Sequence, residues 1–380
     1  MFQVQSPRVR RTLGVVALAA VGAFAFTACS AEASGGTSEG GVDASSATSV
    51  SDFGTFADLE AAAKAEGALN VIALPRDWAN YGAILDLFME RYPEIKITEQ
   101  SPDVSSAEEI QAAKTNKGLD TAPDVFDLGL TVALQNTDSF APYKVQTWDD
   151  IPDELKEQNG LFVGDYGGYM SVGYDSSKYE APESLEDLLG SEYSGAVAIN
   201  GDPTQAGAAF AAVGLATVQS GGELDNFEDG IDFFSELNAA GNMLKVDVTT
   251  ATVQSGETPV VFDWDYLNAA HTATNPNWEV VIFDGTGYAG YYNQAINVDA
   301  PNPAAARLWQ EFLYSDEVQN LWLEGGARPV RADAMSEAGT IDQALFDALP
   351  EIPEETVVPT EQQSTDAGVL LGETWATAVN

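Results

Sequence analysis

From residue 69 onward the chain alternates strand-like and helix-like patterns, and that alternation restricts the fold more than any other property of the sequence. Residues 69–74 and 95–98 read as strands around an amphipathic helix over 81–91, and a helix over 106–116, capped by Ser105 or Ser106, leads into a strand over 124–128. Such a βαβ rhythm implies a parallel sheet covered by helices. A second set starts near Met170. It adds strands over 196–199, 259–262 and 278–283 and helices over 205–218 and 227–239. Two α/β lobes are the expectation. After a further strand from Tyr291 come helices over 303–314 and 316–323, and a last helix is expected near 368–378.

The N-terminus carries an export signal. Arg8, Arg10 and Arg11 precede an apolar stretch over 13–26, and small residues follow up to Cys29. That stretch is short for a bilayer span, and no later segment has the run of about 18 apolar residues that a spanning helix needs. Phe26-Thr27-Ala28-Cys29 resembles a bacterial lipobox, which implies acylation of Cys29, the only cysteine, and a lipid anchor on the outer face of the cytoplasmic membrane. Phe26 stands where Leu is usual. The residues after Arg10-Arg11 match a twin-arginine signal poorly. Residues 30–51 are Ser, Gly, Ala, Thr and a few acids without apolar periodicity and read as a flexible linker, with a coil dimension of roughly 25 Å. Cleavage before Cys29 leaves 13 basic residues against 59 acidic ones, a net charge of −46. Nucleic acid and anionic lipid are poor partners for such a chain, and cations are favoured.

Catalytic motifs are scarce. One Cys and one His leave no zinc cluster, no His-Glu-x-x-His helix and no Gly-x-x-x-x-Gly-Lys loop. His271 has no Gly-x-Ser-x-Gly elbow to work with and reads as a packing or surface residue. Gly285-Thr-Gly287-Tyr-Ala-Gly290 fits a dinucleotide-binding pattern, but the residues after it alternate like a strand, whereas a pyrophosphate site needs a helix there. Asp263 and Asp265, two apart on an extended segment, would share one face and so could not flank a glycosidic bond. The chain is expected to be no enzyme and to need no cofactor and no resident metal.

The run from Ala304-Ala-Ala-Arg-Leu-Trp to Gly325-Gly-Ala-Arg328-Pro-Val-Arg331 resembles the late helix pair of bacterial extracellular solute-binding proteins. Pro123-Asp-Val-Phe-Asp-Leu, Val172-Gly-Tyr-Asp175, Ser184-Leu-Glu-Asp-Leu-Leu with Tyr193-Ser-Gly, and Gly201-Asp-Pro-Thr204 agree in order. The resemblance implies a periplasmic-binding-protein type II fold: two α/β lobes joined by two crossing strands, with a ligand cleft between them. It also implies an ABC permease as partner, a small-molecule solute and a monomer. On it rests the division into a signal peptide and lipobox (1–29), a linker (30–51), lobe one (52–165 and 291–332), lobe two (166–290) and a C-terminal segment packing on lobe two (333–380). The crossings are placed near 165–168 and 287–292, where clustered glycines would let the backbone rotate.

Loops at the carboxyl ends of strands should line the cleft. These carry Asp77, Trp78 and Tyr81 after the first strand, Asp202 and Thr204 in lobe two, Asp263, Trp264 and Asp265, and Tyr166, Tyr288, Tyr291 and Tyr292 at the crossings, with Tyr169 and Tyr266 beside them. Aromatic faces interleaved with carboxylates suit an organic amine. Trp78-x-x-Tyr81 opposite Trp264-Asp265 resembles the polyamine-binding branch, although Asn80 stands where that branch tends to supply an acid. Two alternatives stay open. Adjacent tyrosines such as Tyr291-Tyr292 are the ferric-ion ligands of another branch. A phosphonate could sit on helix N-termini at Thr204 and Ser105, with Arg76 as its charge partner. A secreted hydrolase or a signalling lipoprotein is the reading from a different class.

Overall fold

A computed structural model describes residues 43–351 and 353–379; Cys29, the signal segment and the first part of the linker lie outside the described residues. Ala68–Ile72 (β1) and Lys96–Gln100 (β2) pair in parallel, with the helix Tyr81–Arg91 as their crossover. Asp124 ties the next strand, Val125–Gly129 (β3), to β1: its Oδ2 accepts the Asn70 N–H at 2.7 Å, and its own N–H donates to the Asn70 carbonyl at 2.9 Å. Phe140–Ala141 (β4) completes the lobe-one strands before the first crossing.

Val163–Asp175 (β5) is a 13-residue strand buried from end to end. Lobe two adds Val197–Ile199 (β6), Val260–Trp264 (β7) and Trp278–Val281 (β8) to it, and the chain returns along the 12-residue strand Thr286–Asn297 (β9). The carboxyl half of β5 pairs with β7 and β8, while β9 pairs with β3 and β4 through its own carboxyl half. Between these halves β5 and β9 pair antiparallel, Val163 opposite Gln294 through Tyr169 opposite Ala289. Two long shared strands therefore join the lobes, and β9 runs through Gly287 and Gly290 rather than starting after them.

The crossing glycines serve close approach. Gly167 and Gly168 do not have positive φ angles. A Cβ on Gly167 would meet the Tyr291 ring at 2.8 Å, and one on Gly168 would meet the Tyr266 ring at 2.7 Å. The expected rotational freedom is thus traded for tight packing of β5 against β9 and against the residues after β7.

Two flanking segments differ from expectation. Residues 43–51, expected to be loose linker, dock on lobe one. Ala44, Ala47 and Val50 are buried, and the fully buried Arg307 guanidinium donates to the carbonyls of Ala47 and Ser45 at 2.7 and 2.9 Å. The anchoring apolar residues are too few to give a periodic signal. At the other end, Arg328–Pro329 (β10) pairs with β5, and Glu355–Val357 (β11) pairs with the start of β9. The final helix, Glu361–Ala378, sets Trp375 edge-on to Phe234 of lobe two at 5.7 Å and also packs Gly368 against Thr131 and Gln135 of lobe one. Its buried stripe of Ser364, Ala367, Leu371 and Trp375 runs the length of the helix, so it spans both lobes.

Candidate functional site: an aromatic and acidic seam between the lobes

The loop after β1 turns sharply. Ala73, Ala79 and Asn80 all hold left-handed φ angles of 56°, 44° and 64°, a conformation that costs a non-glycine residue about 1–3 kcal/mol and persists only where surrounding contacts impose it. Asn80 also donates its amide to the Leu321 carbonyl at 2.8 Å. An acid there could not make that bond, which accounts for the departure from the polyamine-branch pattern.

The turn places Trp78 against residues of both crossing strands. Its indole N–H donates to the Tyr166 hydroxyl at 2.8 Å; Tyr166 donates to Asp127 Oδ2 at 2.9 Å; Tyr81 donates to the same oxygen at 3.0 Å. Gln294 on β9 donates to the Tyr81 hydroxyl and to Asp165 at 3.0 and 2.9 Å. The Tyr292 ring stacks on Tyr166 at 5.7 Å and receives Trp78 and Trp264 edge-on at 5.7 and 6.4 Å; Tyr266 meets Tyr166 at 5.9 Å. Trp78, Tyr81, Tyr166, Trp264 and Tyr292 are thus brought together, with Tyr266 beside them. The β5–β9 register slips between Gly164 and Gly167, a bulge at Asp165 and Tyr166, both fully buried like the rest of this strand.

Carboxylates accumulate here without cations. Burial raises the pKa of Asp127, Asp165 and Glu109, and the nearby Asp127 charge pushes Asp165 and Glu109 the same way. Asp263, which accepts from Asn200 at 2.9 Å and from the Trp264 N–H at 2.8 Å, is pushed up to about 7 by burial. Among the described residues no basic side chain forms an ion pair with any of these four.

The other expected residues are placed differently. Asp265 begins a helix, Asp265–Ala270, which breaks the extended period shared with Asp263. Its Oδ1 accepts the Tyr169 N–H at 2.9 Å and its Oδ2 binds Arg328 at 2.7 Å, with that guanidinium 4.5 Å over the Tyr169 ring. Asp77 is exposed and accepts from Thr250 of lobe two at 2.7 Å. Asp202 accepts the Thr204 N–H and hydroxyl at 2.8 and 2.6 Å in an exposed turn. Tyr288 lies buried against Gly214. Tyr291 packs on Gly167, with Tyr169 and Arg328 near it, whereas Asp263 and Asp127 are the charges near Tyr292, so the two hydroxyls stand in different surroundings although both residues line one space. His271 is buried edge-on to Trp278 at 5.6 Å, a packing role. Among the described residues no cluster of three His, Cys, Asp or Glu is arranged to hold a metal.

Asp127, Glu109, Gln294 and Trp322, whose ring lies 5.1 Å from Tyr166, escaped the sequence reading. Asp127 sits in a segment read only as a strand. Its signal was an acid inside a run otherwise as apolar as a buried strand.

The lobes touch across the seam. Ala107 N–H donates to the Gln205 carbonyl at 3.3 Å, and Gly129 meets Gly207 backbone to backbone. Beside this contact a space of about 670 Å³, counting volume open to solvent, is lined from both lobes by residues that include Thr131, Phe210, Trp264, Tyr288 and Tyr292.

Two lobes on shared strands, closed over an aromatic and polar seam, define a hinged binding protein. Residues 121–350 match the family described as bacterial extracellular solute-binding protein, and the chain belongs to that family. It is a family of exported binding proteins rather than enzymes. No curated protein matches the chain. Among solved structures, the periplasmic binding protein AfuA from Actinobacillus pleuropneumoniae, with fructose-6-phosphate bound, is similar at 17% identity and TM-score 0.65, covering 82% of this chain and 98% of its own. The spermidine/putrescine ABC transporter substrate-binding protein PotD from Streptococcus pneumoniae matches at 15% identity and TM-score 0.54 over 82% and 99%. A ferric binding protein from Campylobacter jejuni matches at 14% and 0.59 over 82% and 99%. The fold is the type II periplasmic-binding fold.

Proposed function

We propose that the protein is the solute receptor of an ABC import system and that its solute is a cationic organic amine, polyamine-like in character. The observation that carries this reading is the seam itself: aromatic side chains from both lobes around buried carboxyl groups that pair with no basic side chain among the described residues. Ring faces attract cations, and the attraction grows as water is excluded. The different charged surroundings of Tyr291 and Tyr292 weigh against ferric iron. A phosphonate is disfavoured because Arg76 is held outward by Asp86 and Glu99, and Ser105 closes a capping box with Glu108. The solute bridges the lobes, shifts their population toward the closed form, and that form docks on the permease.

Thermal-shift and titration measurements with putrescine, spermidine, ferric citrate and a phosphonate test the ligand class. Amines are expected to raise the melting temperature, and Trp78→Ala to weaken amine binding about 5- to 30-fold, the value of one cation–π wall of about 1–2 kcal/mol. A response to ferric citrate or the phosphonate alone would overturn the reading.

The anchor belongs to the same proposal. Acylated Cys29 keeps the receptor beside its permease, and Cys29→Ser is expected to release it into the medium. Retention of that variant on the membrane would remove the anchor.

A further inference from the structure

Asp127 is 5% exposed and Glu109 1% exposed. Asp127 Oδ2 receives two tyrosine hydroxyls, while its Oδ1 has no hydrogen-bond partner among the described residues. Glu109 Oε2 accepts the Asp127 N–H at 3.1 Å, and its Oε1 likewise has none. Two neighbouring carboxyl groups therefore each bury one oxygen unsatisfied. An unpaired buried acceptor is costly, and native structures rarely leave one without a partner or a use. An acid whose only task was to hold Tyr81 and Tyr166 would need one acceptor oxygen, which an amide supplies equally well.

Asp127 lies two residues before Gly129, the point where lobe one touches Gly207 of lobe two. Lobe one supplies the acids and Trp78, and Trp264 and Tyr266 cover the same cluster from lobe two. Parting the lobes would remove the Trp264 and Tyr266 side of that cover.

We infer that Asp127, backed by Glu109, is the subsite that receives the protonated nitrogen of the solute. A primary ammonium carries three donors and a positive charge, which complements two unpartnered carboxyl oxygens beside the Tyr81 and Tyr166 hydroxyls and favours the ionised form of the acids. The inference rests on the amine reading above and adds to it that the charge is bound inside lobe one, beneath the seam, and not at Asp265, whose oxygens are taken by Arg328 and Tyr169.

The test is calorimetric titration of the whole exported chain with putrescine, spermidine, agmatine and ethanolamine, on the wild type, Asp127→Asn and Glu109→Gln. Asp127→Asn keeps an acceptor for both tyrosines. It is expected to weaken the best-binding amine about 10- to 150-fold, the range for a hydrogen bond to a charged group, while the ligand-free melting temperature holds or rises. If an amine binds the wild type and both variants equally, the subsite lies elsewhere and the amine reading stands. If no amine binds the wild type, the amine reading falls and takes this inference with it. A variant that melts lower without ligand and binds unchanged would show a purely structural acid. Should Asp127→Asn fail to fold, Glu109→Gln decides by the same readouts.

Discussion

Gly207→Val is expected to hold the lobes apart and to weaken solute binding about 5- to 150-fold, the equivalent of about 1–3 kcal/mol of overpacking. A Cβ on Gly207 would lie 3.0 Å from the Gly129 Cα, and one on Gly129 would lie 2.8 Å from the Gly207 Cα. Backbone stands on both sides of this contact, so no rotamer can yield. Gly207 opens the helix Gly207–Gln219, where valine costs lobe two itself little. The damage is therefore confined to closure. Small-angle scattering should show the variant more extended than the wild type in saturating solute, with an unchanged unfolding midpoint. Equal scattering profiles and equal affinity would mean that the two glycines are not a closing contact.

Arg328→Ala is expected to destabilise the fold by about 3–5 kcal/mol, the usual result of stranding one member of a buried ion pair. Asp265 is fully buried, and burial raises its pKa even with the opposing Arg328 charge beside it. Without Arg328 that upward shift grows. A carboxyl whose folded pKa lies above its unfolded value favours the fold when protonated and disfavours it as pH rises through the folded pKa. The defect should therefore be large at pH 7 to 8 and shrink on acidification, as the carboxyl takes up its proton. Denaturant titrations of wild type and variant across that range decide it. A pH-independent loss would indicate that the missing contact is the stacking on Tyr169 rather than the charge.

The lobes and their connection were legible because they are written in local periodicity. Alternating strand and helix patterns fall within short windows, and the tyrosines and glycines near 165–169 and 287–292 mark the crossings directly. The seam was only partly legible. Trp78, Tyr81 and Trp264 could be placed because each lies at or shortly after a strand end, where clefts form. Asp265 was expected to face a solute because nothing near it in sequence announces Arg328, its partner from 63 residues away. The bulge at Asp165 and Tyr166 is invisible for a related reason: it depends on the register of β5 against β9, a pairing between segments more than a hundred residues apart. Asp127 was passed over because its neighbours in sequence are strand formers. Its meaning comes from Tyr81, Tyr166 and Glu109, which only the fold assembles around it. The docking of residues 43–51 likewise depends on Arg307 reaching back some 260 positions.

The helix Glu361–Ala378 changes the mechanics of the hinge. Two strands alone would form an axle about which lobe two could swing freely. A third element seated on Thr131 and Gln135 on one side and on Phe234 on the other acts as a spring across that axle. Opening must slide or lift this helix from one of its seats, so its packing on both lobes adds to the contacts that favour the closed form. A receptor sprung in this way stores part of the work of closing in its own packing. The solute then has correspondingly less of the closing to drive.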